Sequence, residues 1–371
     1  MLDRLYMKNG TLFIVTNDPS EFPSRPHIIS RPVDIGAGLD MTPTDQELQF
    51  ITPEESQLIL GEHAVRVDGL SFIVSDNNQF VNHYYHLWGE IILGAWRIYS
   101  SLRSSTRSRH LPFPDRIILP HIAARSWRDP ARVNGALLRA AFPSSSLLAS
   151  DYWGDLIELG QPIVFERALI INREAAHGDP LYQNLYKMIA GTWGVEAPAD
   201  FWEPIRQSAV ENAVGYLPLL DSRGIVVSPD SKKTTLPVVV YVSRQRASSR
   251  RLTQNDHYLL VQSLAKLAEE GVCEFQAVEM EGMSLKEQIE LVARATIIVG
   301  VHGNGLTHQL WMPRSSRSTV VEIFAPGSYT FDYEFLARNM GHRHYAVWND
   351  TLLTYPAGSR HEVCHVCPSI M

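Results

Sequence analysis

Apolar positions fall into two regimes along this chain. In the second half, short apolar runs alternate with stretches in which leucine and valine return every three or four residues. Pro237-Val238-Val239-Val240-Tyr241-Val242, Cys273–Val278, Thr296–Val301 and Thr319–Phe324 read as strands. Gln254–Glu270, Ser284–Ala295 and Tyr329–Met340 read as helices, with Leu259, Leu260, Leu264 and Leu267 as the stripe of the first. Ser284 and Glu287 make a capping box at the start of the second. Buried strands alternating with amphipathic helices predict right-handed βαβ units and a doubly wound parallel sheet.

The first half is less regular. Thr11–Val15, Gly69–Val74, Arg116–Pro120, Pro162–Phe165 and Leu169–Ile171 are strand-like. Asn82–Tyr99 is helical in pattern, with Tyr85, Trp88, Ile92 and Trp96 on one side. Between Tyr216 and Leu236 the pattern dissolves into Pro, Asp, Ser, Gly and Lys, which places a domain junction there. The expected organisation is an N-terminal α/β domain over 1–225 and a C-terminal one over 226–371. A length of 371 residues favours two cores over one.

Composition changes this picture little. With 45% apolar and 20% charged residues the chain is an ordinary globular one. A net charge of −7 gives no reason to expect nucleic acid or an anionic membrane as partner. The basic run Arg103–Arg109 reads as a surface turn. No apolar run has the length of a membrane span, and Met1-Leu2-Asp3-Arg4 does not begin a secretory signal. Three cysteines make no disulfide framework. Cys273 reads as a small buried residue. Cys364-His365-Val366-Cys367, with His361 upstream, lacks a second ligand pair and reads as a tail or local disulfide rather than a zinc site.

Two strand ends carry candidate chemistry. Val301-His302-Gly303-Asn304-Gly305 runs from a strand into a short helical turn at Leu306–Met312, and His308 follows. Such a junction collects unpaired backbone N–H groups and suits an anion. Ser243-Arg244-Gln245-Arg246 and Ser249-Arg250-Arg251 put four arginines beyond another strand of the same sheet. Guanidinium forks match phosphate oxygens and keep their charge. Open parallel sheets bind ligands at the carboxyl ends of their strands, so both segments are expected at one crevice. An esterase oxyanion loop would need a Gly-x-Ser-x-Gly elbow, and the chain has none. It also lacks the Walker spacing, the full dinucleotide fingerprint and any Asp-x-Asp.

In the first half, Asn82-His83-Tyr84-Tyr85-His86-Leu87-Trp88-Gly89-Glu90 gathers titratable groups at a helix start. His86 and Glu90, four apart, share a face and are candidates for a general base. His83 reads as a core histidine, and no third ligand supports a metal with His86. Glu322, inside Val320-Val321-Glu322-Ile323-Phe324, is a carboxylate in a buried strand that must be paired or used.

Taken together, Gly300-Val301-His302-Gly303-Asn304-Gly305-Leu306-Thr307, Trp311-Met312-Pro313 and Val320-Val321-Glu322-Ile323 resemble the C-terminal signature of glycosyltransferase family 61. Ser243-Arg244 with Arg250-Arg251 resembles its second block, and Tyr84-Tyr85-His86 to Glu90 its N-terminal block. His83 stands where the family commonly has asparagine, and Glu90 where aspartate is frequent.

The resemblance implies a GT-B architecture of two Rossmann-like domains facing across a cleft, with a UDP-sugar held mainly by the second. It implies inverting transfer of a sugar of the xylose or N-acetylglucosamine class to a glycan or glycoprotein hydroxyl. Neither a metal nor a cofactor beyond the co-substrate is expected. Arg244, His302, Gly303 and Asn304 would contact the diphosphate, and Glu322 the ribose or uracil side. The secretory lumen would be the site of action. A catalytically degenerate glycan-binding or scaffold protein is the alternative.

Overall fold

A computed structural model describes residues 1–34, 38–105, 111–177, 195–227, 235–247, 249–326, 328–349 and 351–353. Cys364, Cys367, His361 and the end of the basic run at Arg107–Arg109 lie outside the described residues. The chain gathers into two compact units, one of Met1–Gly135 and Phe142–Phe201, the other of Ala136–Ala141 and Trp202–Met371.

The first unit is built on a seven-stranded sheet in the order β3-β2-β1-β7-β4-β5-β6. Its strands are β1 (Leu2–Lys8), β2 (Thr11–Val15), β3 (Leu48–Ile51), β4 (Val65–Val74), β5 (Arg116–Ile118), β6 (Ser146–Leu148) and β7 (Ile163–Ile171). The sheet is mixed: β1 runs antiparallel to both neighbours, whereas β7, β4, β5 and β6 are parallel. β7 is one strand, although the sequence reads as two. Glu166 and Arg167 interrupt its apolar run and are exposed. Glu166 accepts from Arg66 and from the Gly69 N–H, and Arg167 pairs with Asp3. Charge is tolerated where the side chain faces water and finds a cross-strand partner. Leu5, Met7, Ile73, Trp153 and Phe165 form the core of this unit.

The helix expected over Asn82–Tyr99 begins as a wider π-helical segment, Tyr85–Ile92, and continues as an α-helix, Leu93–Ser101. Nearly every residue of the π-helical segment is buried, Glu90 included. π-Helical turns are rare in proteins and concentrate at functional sites.

The second unit follows its sequence pattern closely. Its six-stranded sheet has the order β13-β12-β11-β10-β8-β9. The strands are β8 (Val238–Val242), β9 (Glu274–Val278), β10 (Ile297–Val301), β11 (Thr319–Ile323), β12 (Arg343–Trp348) and β13 (Thr351–Leu353). β9, β8, β10, β11 and β12 are parallel neighbours in that order, and β13 is an antiparallel edge. β8 is buried at every position, which is why it contains no charged residue. The capping box forms as expected: Glu287 N–H donates to Ser284 Oγ, and the Ser284 N–H to Glu287.

The helix Gln254–Glu269 packs on the sheet through Leu260, Val261, Leu264 and Ala268 around Tyr241 and Cys273. The buried stripe therefore lies one step away from the expected one, and Leu259 and Leu267 are exposed.

Each sheet contains one place where the winding reverses. In the second, the chain goes from β8 outward to β9, then returns to β10 on the other side of β8. In the first, β4 leads outward to β5 and β6, and β7 returns beside β4. Such switch points open a crevice beyond the strand ends, because the two connections leave in opposite directions.

Candidate active site

Beyond β8 and β10, the switch point of the second unit is lined by the residues singled out in the sequence. Gly303 follows β10 after His302, and the chain enters a 3-10 helix, Asn304–Trp311, rather than an α-helix. The glycines permit close packing. A Cβ on Gly303 would overlap Arg244 Nη1, and one on Gly305 would come within 2.8 Å of Val242 Cγ1. Arg244 thus lies flat against the glycine loop, and its Nε donates to the Arg250 carbonyl at 3.2 Å. The guanidinium ties the arginine loop to the His302 loop. Ser243 is buried; its N–H donates to Val278 O, and its Oγ accepts from the Gln245 N–H. Asn304 accepts from Thr307 Oγ1. Arg246 is drawn off by an ion pair with Glu279 at 2.7 Å.

Arg244 has no carboxylate in ion-pair range among the described residues. Burial first, then the neighbouring Arg250 charge, push its pKa below the ordinary guanidinium value. Both costs fall when an anion enters, since an opposite charge favours the ionised form.

A pocket of about 760 Å³ opens at the ends of β10, β11 and β12. Arg250, Arg251, His302, Phe324, Thr330 and Asn349 are on its wall. That volume falls within the range of roughly 300–1,000 Å³ typical of small-molecule sites. The apolar side, with Phe324 and Val347, suits a flat or aliphatic moiety, while the arginines supply charge. Arg250 and Arg251 are exposed and make no ion pair among the described residues.

His302 is held from behind. Its Nδ1–H donates to Glu322 Oε1 at 2.6 Å, and His344 Nε2–H donates to Glu322 Oε2 at 2.8 Å. The Glu322 side chain is fully buried. The His302 ring stacks on Phe324 and meets the edge of Tyr333. Burial raises the Tyr333 phenol well above its ordinary value, so it stays neutral.

His308, the second histidine of the loop, turns inward. Burial lowers its pKa to about 4, and the neutral ring has one N–H to give. Gln288 Nε2 already donates to the Met280 and Met283 carbonyls, so Gln288 Oε1 accepts from His308 Nε2 at 2.9 Å. It is a packing residue.

In the first unit, the His86 Nδ1 and Glu90 Oε2 atoms are 2.6 Å apart, as their spacing predicts. Glu90 is 4% exposed, so His86 supplies the polar partner that its buried carboxylate requires. The His86 ring stacks on Phe80 and touches His83. Among the described residues, no group of three or more His, Cys, Asp or Glu is arranged to hold a metal ion.

The sequence model of the family described as Glycosyltransferase 61 matches residues 52–321, well over half of the chain. The chain belongs to glycosyltransferase family 61. It is therefore a glycosyltransferase, an enzyme that takes a sugar donor and a glycan acceptor. A search of curated proteins found no match. No helix among the described residues is long and apolar enough to cross a membrane.

The family match includes His86, Glu90, Ser243, Arg244, Arg250, Arg251, His302, Gly303, Asn304 and Gly305, and stops one residue before Glu322. The second unit brings its candidates together in three roles. Arg250, Arg251 and His302 face the pocket; Ser243, Arg244, Gly303, Asn304 and Gly305 build the junction; Glu322 stands behind His302. Three groups were missed: His344, Tyr333 and a buried Asp76–Arg173 pair. His344 carried no signal in the sequence, since it meets Glu322 only through the pairing of two neighbouring parallel strands.

Proposed function

We propose that this family 61 glycosyltransferase is an inverting, metal-independent enzyme using a UDP-sugar donor. The transferred sugar would be of the xylose or N-acetylglucosamine class and the acceptor a hydroxyl of a glycan or glycoprotein. One observation carries the donor half: Arg250, Arg251 and His302 share a pocket wall at a switch point, and the arginines have no carboxylate partner among the described residues. A nucleoside diphosphate is the anion whose charge and length suit that wall.

In the reaction, the acceptor oxygen bonds to the anomeric carbon from the face opposite the nucleotide. The bond from that carbon to the β-phosphate oxygen breaks, and its electron pair stays on UDP. Arg244, Arg250, Arg251 and His302 stabilise the developing charge, a role that fixed donors fill without reorganisation. The acceptor proton goes to a carboxylate base, for which Glu90, oriented by His86, is our candidate. Glu322 has both oxygens committed to imidazoles, so we assign it to His302 rather than to the ribose. A GT-B arrangement of the two units and action in the secretory lumen belong to the same reading.

The test is a titration of UDP followed by thermal unfolding. UDP should raise the melting temperature of the wild type and leave Arg244→Ala unmoved; no shift with any nucleotide rejects the reading. Slow UDP-sugar hydrolysis without acceptor separates an enzyme from a degenerate scaffold, which should show none. A screen of UDP-xylose, UDP-N-acetylglucosamine and UDP-glucose assigns the donor.

A further inference from the structure

We infer that His344 is a positioning residue for the phosphate site: through the buried Glu322 carboxylate it fixes His302 with Nδ1–H inward and Nε2 available to a diphosphate. The inference rests on the nucleotide-sugar reading of the pocket. Neither Glu322 nor His344 lies within the residues that the family model matches.

The geometry leaves little freedom. β10, β11 and β12 are parallel neighbours, and Val320 is in register with both Ile298 and His344. Glu322 lies two residues further along β11, on the same face as Val320, so its carboxylate reaches back to His344 and forward to His302. One carboxylate oxygen takes each imidazole, at 2.6 and 2.8 Å, and the side chain has no exposure to water. A buried carboxylate that lost one partner would carry the desolvation cost of an unpaired oxygen and would rotate to find that oxygen a new donor. His344 therefore prevents Glu322 from rotating away from His302.

A carboxylate only accepts, so the bond to Oε1 requires the proton on His302 Nδ1. That leaves Nε2, which has no partner among the described residues, as the ring's outward group on a residue of the pocket wall. A phosphate oxygen at Nε2 is met by the imidazolium, with both nitrogens donating and the Glu322 charge behind it. Other groups packed around the pair include Phe324, the neutral Tyr333 phenol, Arg244 against Gly303, Arg250 in the pocket and Glu334 with Arg338. Of these, Glu334 is tied to Arg338 at 2.6 Å, and the arginines strengthen the call for an anion.

The experiment uses the full chain with ¹⁵N-labelled histidine, with and without UDP, for wild type, His344→Gln, His344→Phe, Glu322→Gln and His302→Ala. The His302→Ala spectrum assigns the resonance. Wild type should show His302 as the single Nδ1–H tautomer, converting to a doubly protonated ring when UDP is added. His344→Phe should mix the tautomers and weaken UDP about tenfold, and His344→Gln, whose amide still donates to Glu322, should recover most of both. Glu322→Gln should mix the tautomers if the carboxylate is what selects them.

A folded His344→Phe with a wild-type tautomer and wild-type affinity overturns the proposal. So does a His344→Gln protein no better than His344→Phe, which would mean that His344 only fills space. If His344→Phe does not fold, His344→Gln against Glu322→Gln decides by the same spectrum. Absence of UDP binding by a wild type that shows the single tautomer rejects the nucleotide reading and the phosphate part of this inference, while the relay itself stands.

Discussion

The two switch points of this molecule treat charge in opposite ways. At the β4/β7 reversal, Asp76 and Arg173 follow their strands by two residues each and meet at 3.3 Å, both almost wholly buried. Arg173 also donates to the Gln79 carbonyl, tying down the chain that leads to His83 and His86. At the β8/β10 reversal, Arg250 and Arg251 stand open on a pocket, and the buried carboxylate behind its wall, Glu322, is taken by two histidines. The same topology gives a crevice in both sheets. The protein neutralises itself in one and leaves cationic charge for a ligand in the other.

Removing one arginine from each place sharpens the contrast most. Arg173→Ala leaves Asp76 buried and unpaired and should cost about 3–5 kcal/mol of stability in urea unfolding. Arg244→Ala should unfold within about 1 kcal/mol of wild type, as partly exposed charges usually do, yet abolish the UDP-induced thermal shift. Equal stability losses in both variants would break the comparison.

Next in size is Glu90→Gln. It should lower kcat by roughly 10²–10⁴, the range for losing a general base, while the UDP shift remains. An unchanged kcat removes Glu90 from the chemistry.

Acid gives a smaller, signed effect. Burial raises the Asp76 pKa from 3.8 to about 6, overcoming the opposing pull of Arg173. A group whose folded pKa is raised contributes stability that is complete below its unfolded pKa and lost as pH rises through the folded one. Wild type should therefore lose up to about 3 kcal/mol relative to Asp76→Asn between about pH 4 and pH 7. A difference independent of pH would contradict the burial argument.

The mildest test is Gly303→Ala. Its Cβ would push Arg244 away from the glycine loop, so UDP should bind at least about tenfold more weakly, by calorimetry, and the positive φ of 157° should cost about 1–3 kcal/mol of stability. Wild-type affinity would show that the Arg244 guanidinium needs no fixed seat.

The second unit was the more legible because its sheet is buried on both faces. Val238–Val242 and Ile297–Val301 can be little else than strands, and a capping box announced the helix Leu285–Ala293 that precedes the second of them. β1 escaped because Leu2-Asp3-Arg4-Leu5-Tyr6-Met7-Lys8 carries exposed charge at Asp3 and Arg4 and has no continuous apolar run. At the site, residues clustered in sequence were found and residues joined only by folding were not. His344 is 22 residues from Glu322, and no spacing rule connects a histidine to a carboxylate on the neighbouring parallel strand. Asp76 and Arg173 are further apart still, and each reads alone as a surface charge. What spacing did supply was the pair His86 and Glu90, because one helical face brings them together without help from the rest of the chain.

The sealed Glu322 carboxylate also gives the molecule a chemical fingerprint. Carbodiimide reagents, which need access to a carboxyl oxygen, should pass it by and label the exposed acids around it. Acylation by diethyl pyrocarbonate, which attacks an unprotonated ring nitrogen, is confined at His302 to Nε2, since Nδ1 is spent on the glutamate. A single acyl group on that histidine, blocked when the pocket is filled, would map the site by mass spectrometry without a substitution anywhere in the chain.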